Sequence, residues 1–307
     1  MYPLLLNTYT ASGECVRPAT DRKAVLKTPE CFLLSGRDMG ESVVKNGEFA
    51  GLGLNEVFTR LKIKFQKTGD SFPVTVKLLN TENRLPVKVY PDDEYAVLHG
   101  ERAGKVSLLY IADCDGGAEV VYGLSRNVSP EELQNRVQNA TLAAVCNFVN
   151  VQKGDVFFIP PGVVFSVGGG IVALEISTNS DAEYIISDYG KTSASSRPPQ
   201  INRALEVMKN RKINIRYGNV GDITLYPFGT IRELGFCELF RSELITMDGN
   251  IGFYEDENII SVILTSGEVD MSYPSGTMHL KAGDSVIIPY GVRARLSGKA
   301  EVVYTKF

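Results

Sequence analysis

Few side chains in this sequence can do metal or nucleophile chemistry: two histidines, His99 and His279, and five cysteines spread along 307 residues. No Cys-x-x-Cys occurs, so no local zinc signature is present. Cys114, within Asp113-Cys114-Asp115-Gly116-Gly117, reads as a turn residue with no histidine near enough in sequence to activate its thiol. Gly168-Gly169-Gly170 lacks the following helix that a phosphate-cradling loop needs, and reads as a hairpin turn. His99 falls in a turn beside Gly100, and His279 falls in an expected strand, Gly276–Lys281; both read as surface or core histidines. Lys88 and Tyr90 alternate with Val87 and Val89, which puts an ammonium and a phenol on one strand face.

The bulk numbers exclude several classes. With 44% hydrophobic and 22% charged residues, the composition is that of an ordinary globular protein, long enough for two cores. A formal net charge of −4 leaves no basic footprint, so nucleic acid is not an expected partner. The opening Met1-Tyr2-Pro3-Leu4-Leu5-Leu6 has no basic stretch and too short an apolar run for a signal peptide. No stretch approaches the ~18 uninterrupted apolar residues that span a bilayer. Scattered, unpaired cysteines fit reduced thiols, so a cytoplasmic protein away from membranes is expected.

Short strand-like runs bounded by Gly, Pro, Asn and Asp dominate: Pro73–Leu79, Val87–Tyr90, Ser107–Ile111, Val156–Ile159, Ile171–Ile176, Ile259–Leu264 and Ser285–Ile288. Helices are few. Ser129-Pro130-Glu131-Glu132 predicts an N-cap and acidic first turn, and apolar spacing at Leu133, Val137, Ala140, Ala144 and Phe148 predicts a helix to about Phe148. Two shorter helices are expected over Leu54–Leu61 and Asn202–Lys209.

An internal repeat is the most informative feature. Gly154-Asp155-Val156-Phe157-Phe158-Ile159-Pro160-Pro161-Gly162 recurs as Gly283-Asp284-Ser285-Val286-Ile287-Ile288-Pro289-Tyr290-Gly291. Gly-Asp makes a turn, four residues alternate along a strand, and Pro then Gly set a second turn. This pattern resembles the second motif of the cupin barrel, and its two copies imply two barrels. The expected architecture is therefore mainly β: a first jelly-roll barrel with a helical insertion over residues 1–190, a linker and helix over 191–215, and a second barrel over 216–307.

From about residue 42 to residue 208 the chain resembles the class I mannose-6-phosphate isomerases. The resemblance is carried by Ser42-Val43-Val44-Lys45-Asn46-Gly47, Phe72-Pro73-Val74-Thr75-Val76-Lys77, Val89-Tyr90-Pro91-Asp92-Asp93-Glu94-Tyr95-Ala96 and Gly104-Lys105. It continues through Tyr110-Ile111-Ala112-Asp113, Tyr122-Gly123-Leu124, the first repeat copy, Glu175-Ile176, Asn179-Ser180-Asp181 and Asp188-Tyr189-Gly190. The family interconverts mannose 6-phosphate and fructose 6-phosphate, using zinc held by Gln, His, Glu and His. The resemblance places those ligands at Lys88, Tyr90, Ser107 and Phe165, and a pocket arginine at Ile185. The second barrel has Ala294 where a motif histidine would stand.

Phe165 has no lone pair, Lys88 offers one only if it is deprotonated, against an ordinary pKa of ~10.4, and a neutral phenol or hydroxyl is a poor ligand. Zinc is expected for the family, and the residues here imply that it is lost, leaving no cofactor. Lys77 and Lys105 correspond to lysines that line the family's sugar-phosphate pocket. With Lys88, Tyr90 and Glu175 they form the expected ligand-binding set, with Glu175, Asp92 and Asp93 as counter-charges. Asp92 and Asp93 also read as turn formers, and Glu175 as paired to one of the lysines.

An ammonium cluster suits a small anion such as a hexose phosphate. Three readings follow: a non-catalytic sugar-phosphate or anion-binding relative; an active aldose–ketose isomerase with Glu175 and Lys105 as its catalytic residues; or a structural, partner-binding scaffold. The lysines could equally lie along a solvated strand face, and Tyr90 and Phe165 could simply fill an emptied barrel.

Overall fold

The computed structural model describes residues 1–7, 9–10, 13–14, 30–37, 40–65, 68, 72–187 and 200–307. The protein is mainly β, built from antiparallel sheets with a few short helices. Two compact units emerge from its packing: one comprises Met1–Leu79, Leu174–Asn179 and Asn219–Phe307, the other Asn80–Ala173 and Ser180–Gly218.

In the second unit, five antiparallel strands run in the order Tyr184–Ser187, Val87–Val89, Phe165–Val167, Glu119–Leu124, Cys146–Asn150. Another wall is made by Val156–Ile159 pairing with Ser107–Cys114. One face of the five-stranded sheet is apolar because valines recur at every second position. Val87, Val89, Val121, Tyr184 and Ile186 pack there against Leu133 and Val137 of the helix Pro130–Gln138 and Ala204 of the helix Ile201–Val207. The first of these helices begins as expected, with the Ser129 hydroxyl accepting from the Glu132 N–H at 3.1 Å.

That helix does not reach Phe148. It stops at Gln138, Ala140 takes a left-handed φ of 55°, and Cys146–Asn150 is a strand. The spacing of four between Ala140, Ala144 and Phe148 is even, so it satisfies strand alternation as well as a helical face. The triple glycine also departs from expectation. Phe165–Val167 and Ile171–Thr178 belong to different sheets, so Gly168–Gly170 crosses between sheets and closes no hairpin. A Cβ on Gly168 would sit 2.1 Å from the Glu119 carbonyl oxygen, so the backbones approach too closely for any side chain.

The first unit contains the longer strands. Its large sheet runs Leu4–Leu5, Ser285–Ile288, Ile260–Tyr273, Ala294–Lys306, Arg241–Phe253, Gly229–Phe236, Ile223–Tyr226, and Gly276–Lys281 adds to Ile260–Tyr273. Ile260, Val262, Leu264, Val286, Ile288, Leu296 and Val302 supply the centre of its core. The expected strand over Ile259–Leu264 extends to Tyr273 because Val269 and Met271 continue the buried alternation. Glu30–Leu34 pairs with Val74–Thr81, placing Phe32 directly opposite Lys77. The expected short helix is present at Leu54–Arg60.

Both repeat copies fold alike. Gly154 and Gly283 take φ of 95° and 92°, open to glycine at little cost. The following carboxylates then close their turns on backbone: Asp155 accepts from the Gln152 N–H at 2.8 Å, and Asp284 from the Lys281 N–H at 2.9 Å. The strands Val156–Ile159 and Ser285–Ile288 follow with the expected bounds.

Candidate functional site

Strand register in the second unit assembles a row of side chains on the face opposite the valines. Ile185 lies across from Lys88, Lys88 across from Phe165, and Phe165 across from Tyr122. Directly paired residues share a face, so these four project together. Phe165 and Tyr122 are fully buried. Tyr122 donates its hydroxyl to the Phe158 carbonyl at 2.5 Å, and burial holds its phenol well above the usual pKa, so it stays neutral.

The other wall faces the same space. Ser107 pairs with Ile159 and Leu109 with Phe157, so Ser107 and Phe157 lie on one face. The Phe157 ring meets the Tyr122 ring at 5.2 Å between centroids, which turns that face toward the row. Ser107 is fully buried and its hydroxyl has no hydrogen-bond partner among the described residues. Such an orphan costs about 1–3 kcal/mol unless something satisfies it.

Two ammoniums of the site meet at a shared carboxylate. The Lys88 and Lys105 ammoniums both reach the same oxygen of Glu183, at 3.1 Å and 3.4 Å. Both also lie over the Tyr90 ring, 5.5 Å and 4.6 Å from its centroid. Tyr90 is completely buried, and the side chain of Lys105 is only 1% exposed. The Tyr90 phenyl thus offers its negative face to two cations. Pairing and aromatic contact together make two buried lysines tolerable.

The other expected residues are placed as follows. Lys77 belongs to the first unit, where its ammonium meets Glu30 at 2.9 Å and the Phe32 ring at 5.1 Å. Glu175 lies in the same unit, on Ile171–Thr178, and is buried. Asp92 caps the helix Asp93–Leu98 through the Tyr95 N–H, and Asp93 accepts from the Gly104 N–H. Both shape the chain here. Glu183 and Glu30 pair with the lysines, and neither was named from the sequence. His99 stacks on Tyr95 at the end of that helix, and His279 lies on the first unit's surface beside Asp270 and Glu268.

Zinc can be tested against this donor set. Phe165 has nothing to donate, the Lys88 nitrogen is committed as an ammonium to Glu183, Tyr90 presents its ring to two cations, and Ser107 is a neutral hydroxyl. Among the described residues no three His, Cys, Asp or Glu side chains cluster as a metal site. The four positions do not fit zinc.

Known proteins identify the scaffold. The chain is 31% identical over 287 residues to the mannose-6-phosphate isomerase ManA of Bacillus subtilis, covering 90% of this chain and 89% of that protein. It belongs to the mannose-6-phosphate isomerase family. The Streptococcus mutans mannose-6-phosphate isomerase is 26% identical over 283 residues, 90% of this chain and 87% of that one. No family model matches the sequence. The crystal structure of a mannose 6-phosphate isomerase from Bacillus subtilis superimposes with a TM-score of 0.87 at 25% identity, covering 99% of both chains. A phosphomannose isomerase variant from Salmonella typhimurium shares the fold at a TM-score of 0.76 and 10% identity, covering 99% of both. No helix among the described residues is long and apolar enough to cross a membrane.

Against this family background Glu183 stands out. It follows Ser180-Asp181-Ala182 outside any strand, with no periodicity to mark it, and its partners lie 95 and 78 residues away in sequence. Its one legible signal is an acidic residue immediately before Tyr184-Ile185.

Proposed function

We propose that this member of the mannose-6-phosphate isomerase family binds a sugar phosphate or a similar small anion and does no zinc-dependent isomerisation. The reading is carried by the side chains at the four implied ligand positions: ammonium, phenol, hydroxyl and phenyl. Lys88 brings positive charge to the place where the metal would have supplied it, and Lys105 adds a second ammonium beside it. A phosphate oxygen suits a pair of ammoniums, and the Ser107 hydroxyl, without a hydrogen-bond partner among the described residues, is a further donor.

In this reading the site binds and orients an anion but has no Lewis acid to polarise a sugar carbonyl. Removing that term forfeits several kcal/mol of transition-state stabilisation. Elemental analysis of the purified protein, a turnover assay on mannose 6-phosphate and a thermal-shift titration with the same compound test it together. Ligand-induced stabilisation without turnover or stoichiometric zinc is the expected result. Turnover with bound zinc would overturn the reading, and the absence of any stabilisation by sugar phosphates or inorganic phosphate would leave a scaffold.

A further inference from the structure

The shared oxygen of Glu183 sits where an anionic ligand would have to go. One carboxylate oxygen bridges two ammoniums at 3.1 Å and 3.4 Å, the arrangement a phosphate oxygen would adopt. The lysines are fixed: their side chains are 10% and 1% exposed, and the Tyr90 ring lies against both. Glu183 is more open. Its side chain is 29% exposed, and it belongs to the non-strand segment ahead of Tyr184–Ser187. That exposure leaves a path toward solvent, which a ligand taking its place would require it to follow.

We propose that Glu183 is a tethered competitor for the anion seat, which selects dianionic phosphate monoesters over singly charged carboxylates. The inference rests on the reading of Lys88 and Lys105 as an anion site. A free monocarboxylate offers the ammoniums no more charge than Glu183 already supplies, and Glu183 is present at the high effective concentration of an attached group. A phosphate monoester carries nearly twice that charge near neutral pH and three acceptor oxygens. It gains enough from both lysines to displace the carboxylate. Glu183 thereby also keeps the two ammoniums from repelling each other when no ligand is bound.

The test is calorimetric titration of wild type, Glu183→Gln and Glu132→Gln with mannose 6-phosphate, inorganic phosphate and acetate. Glutamine keeps the shape of Glu183 and removes its charge, and Glu132 is a carboxylate paired elsewhere in the same unit with Arg126 and Arg136. Circular dichroism establishes that each variant is folded; Glu183→Asn replaces Glu183→Gln, and Glu132→Asn replaces Glu132→Gln, if either is not. Glu183→Gln should bind mannose 6-phosphate about tenfold or more tightly, and acetate binding should appear where wild type has none. Equal affinity in wild type and Glu183→Gln overturns the competitor while leaving the anion site standing. An equal gain in Glu132→Gln overturns it as a general charge effect. No binding by any of the three proteins removes the anion site itself.

Discussion

Phe165 lies directly across from Lys88 in the antiparallel pairing of their strands, so a phenyl and an ammonium share a row where the family resemblance implied two zinc ligands. Restoring one donor cannot rebuild a four-donor sphere. The Phe165→His variant should therefore remain substoichiometric in zinc, as should wild type, when both are equilibrated with the ion, desalted and subjected to elemental analysis. Stoichiometric zinc in wild type would reverse this expectation.

Lys105 allows charge to be separated from packing. Methionine fills the same buried volume without the ammonium. Removing one partner of a buried pair costs ~3–5 kcal/mol when the other is stranded. Glu183, however, is 29% exposed and keeps Lys88, so a loss of about 1–2 kcal/mol in urea unfolding is expected for Lys105→Met. Mannose 6-phosphate affinity should fall about tenfold or more in the same variant. Unchanged affinity would remove Lys105 from the site.

The cysteines should differ sharply in reactivity. Burial pushes the Cys146 thiol up to about 11, with the Arg84 guanidinium pulling weakly the other way. A raised pKa keeps the thiol protonated through neutral and mildly alkaline pH, and only the thiolate attacks alkylating agents. Brief iodoacetamide treatment of the native protein should leave Cys146 and buried Cys31 unmodified and label the part-exposed Cys114 and Cys237. Peptide mass spectrometry reads the order, and early labelling of Cys146 would contradict it.

Glu132 gives a stability signature in acid. Hydrogen bonds from Arg126, and then from Arg136, hold its carboxyl down at about 2. A pKa depressed below the unfolded value of ~4.3 contributes stability that is complete above that value and is lost as pH falls through the folded one. Thermal unfolding of wild type and Glu132→Gln should differ near about pH 6 and converge toward about pH 2. A gap independent of pH would assign the effect to packing.

Much of this was legible in sequence because the signals were local. The two Gly-Asp repeats fixed the strands Val156–Ile159 and Ser285–Ile288, since a turn, an alternating run and a second turn leave little choice. Ser129-Pro130-Glu131-Glu132 marked a helix start for the same reason. What stayed hidden was long-range. The Lys88–Glu183 pair spans 95 residues, and nothing at either end announces the other. Gly168–Gly170 looked like a hairpin because glycine content reports backbone freedom, not which strands it joins. The end of the helix after Gln138 was lost for a different reason, a spacing common to both secondary structures.

The pairing of Leu4–Leu5 with Ser285–Ile288 has a bearing on biosynthesis. A ribosome delivers the first of these strands long before the second, and every residue of Asn80–Gly218 is made in between. Until then the early segment must wait with the edge that will meet Ser285–Ile288 open to other chains. Arrested translation products ending before Ser285 should therefore be the form of this protein most dependent on chaperones.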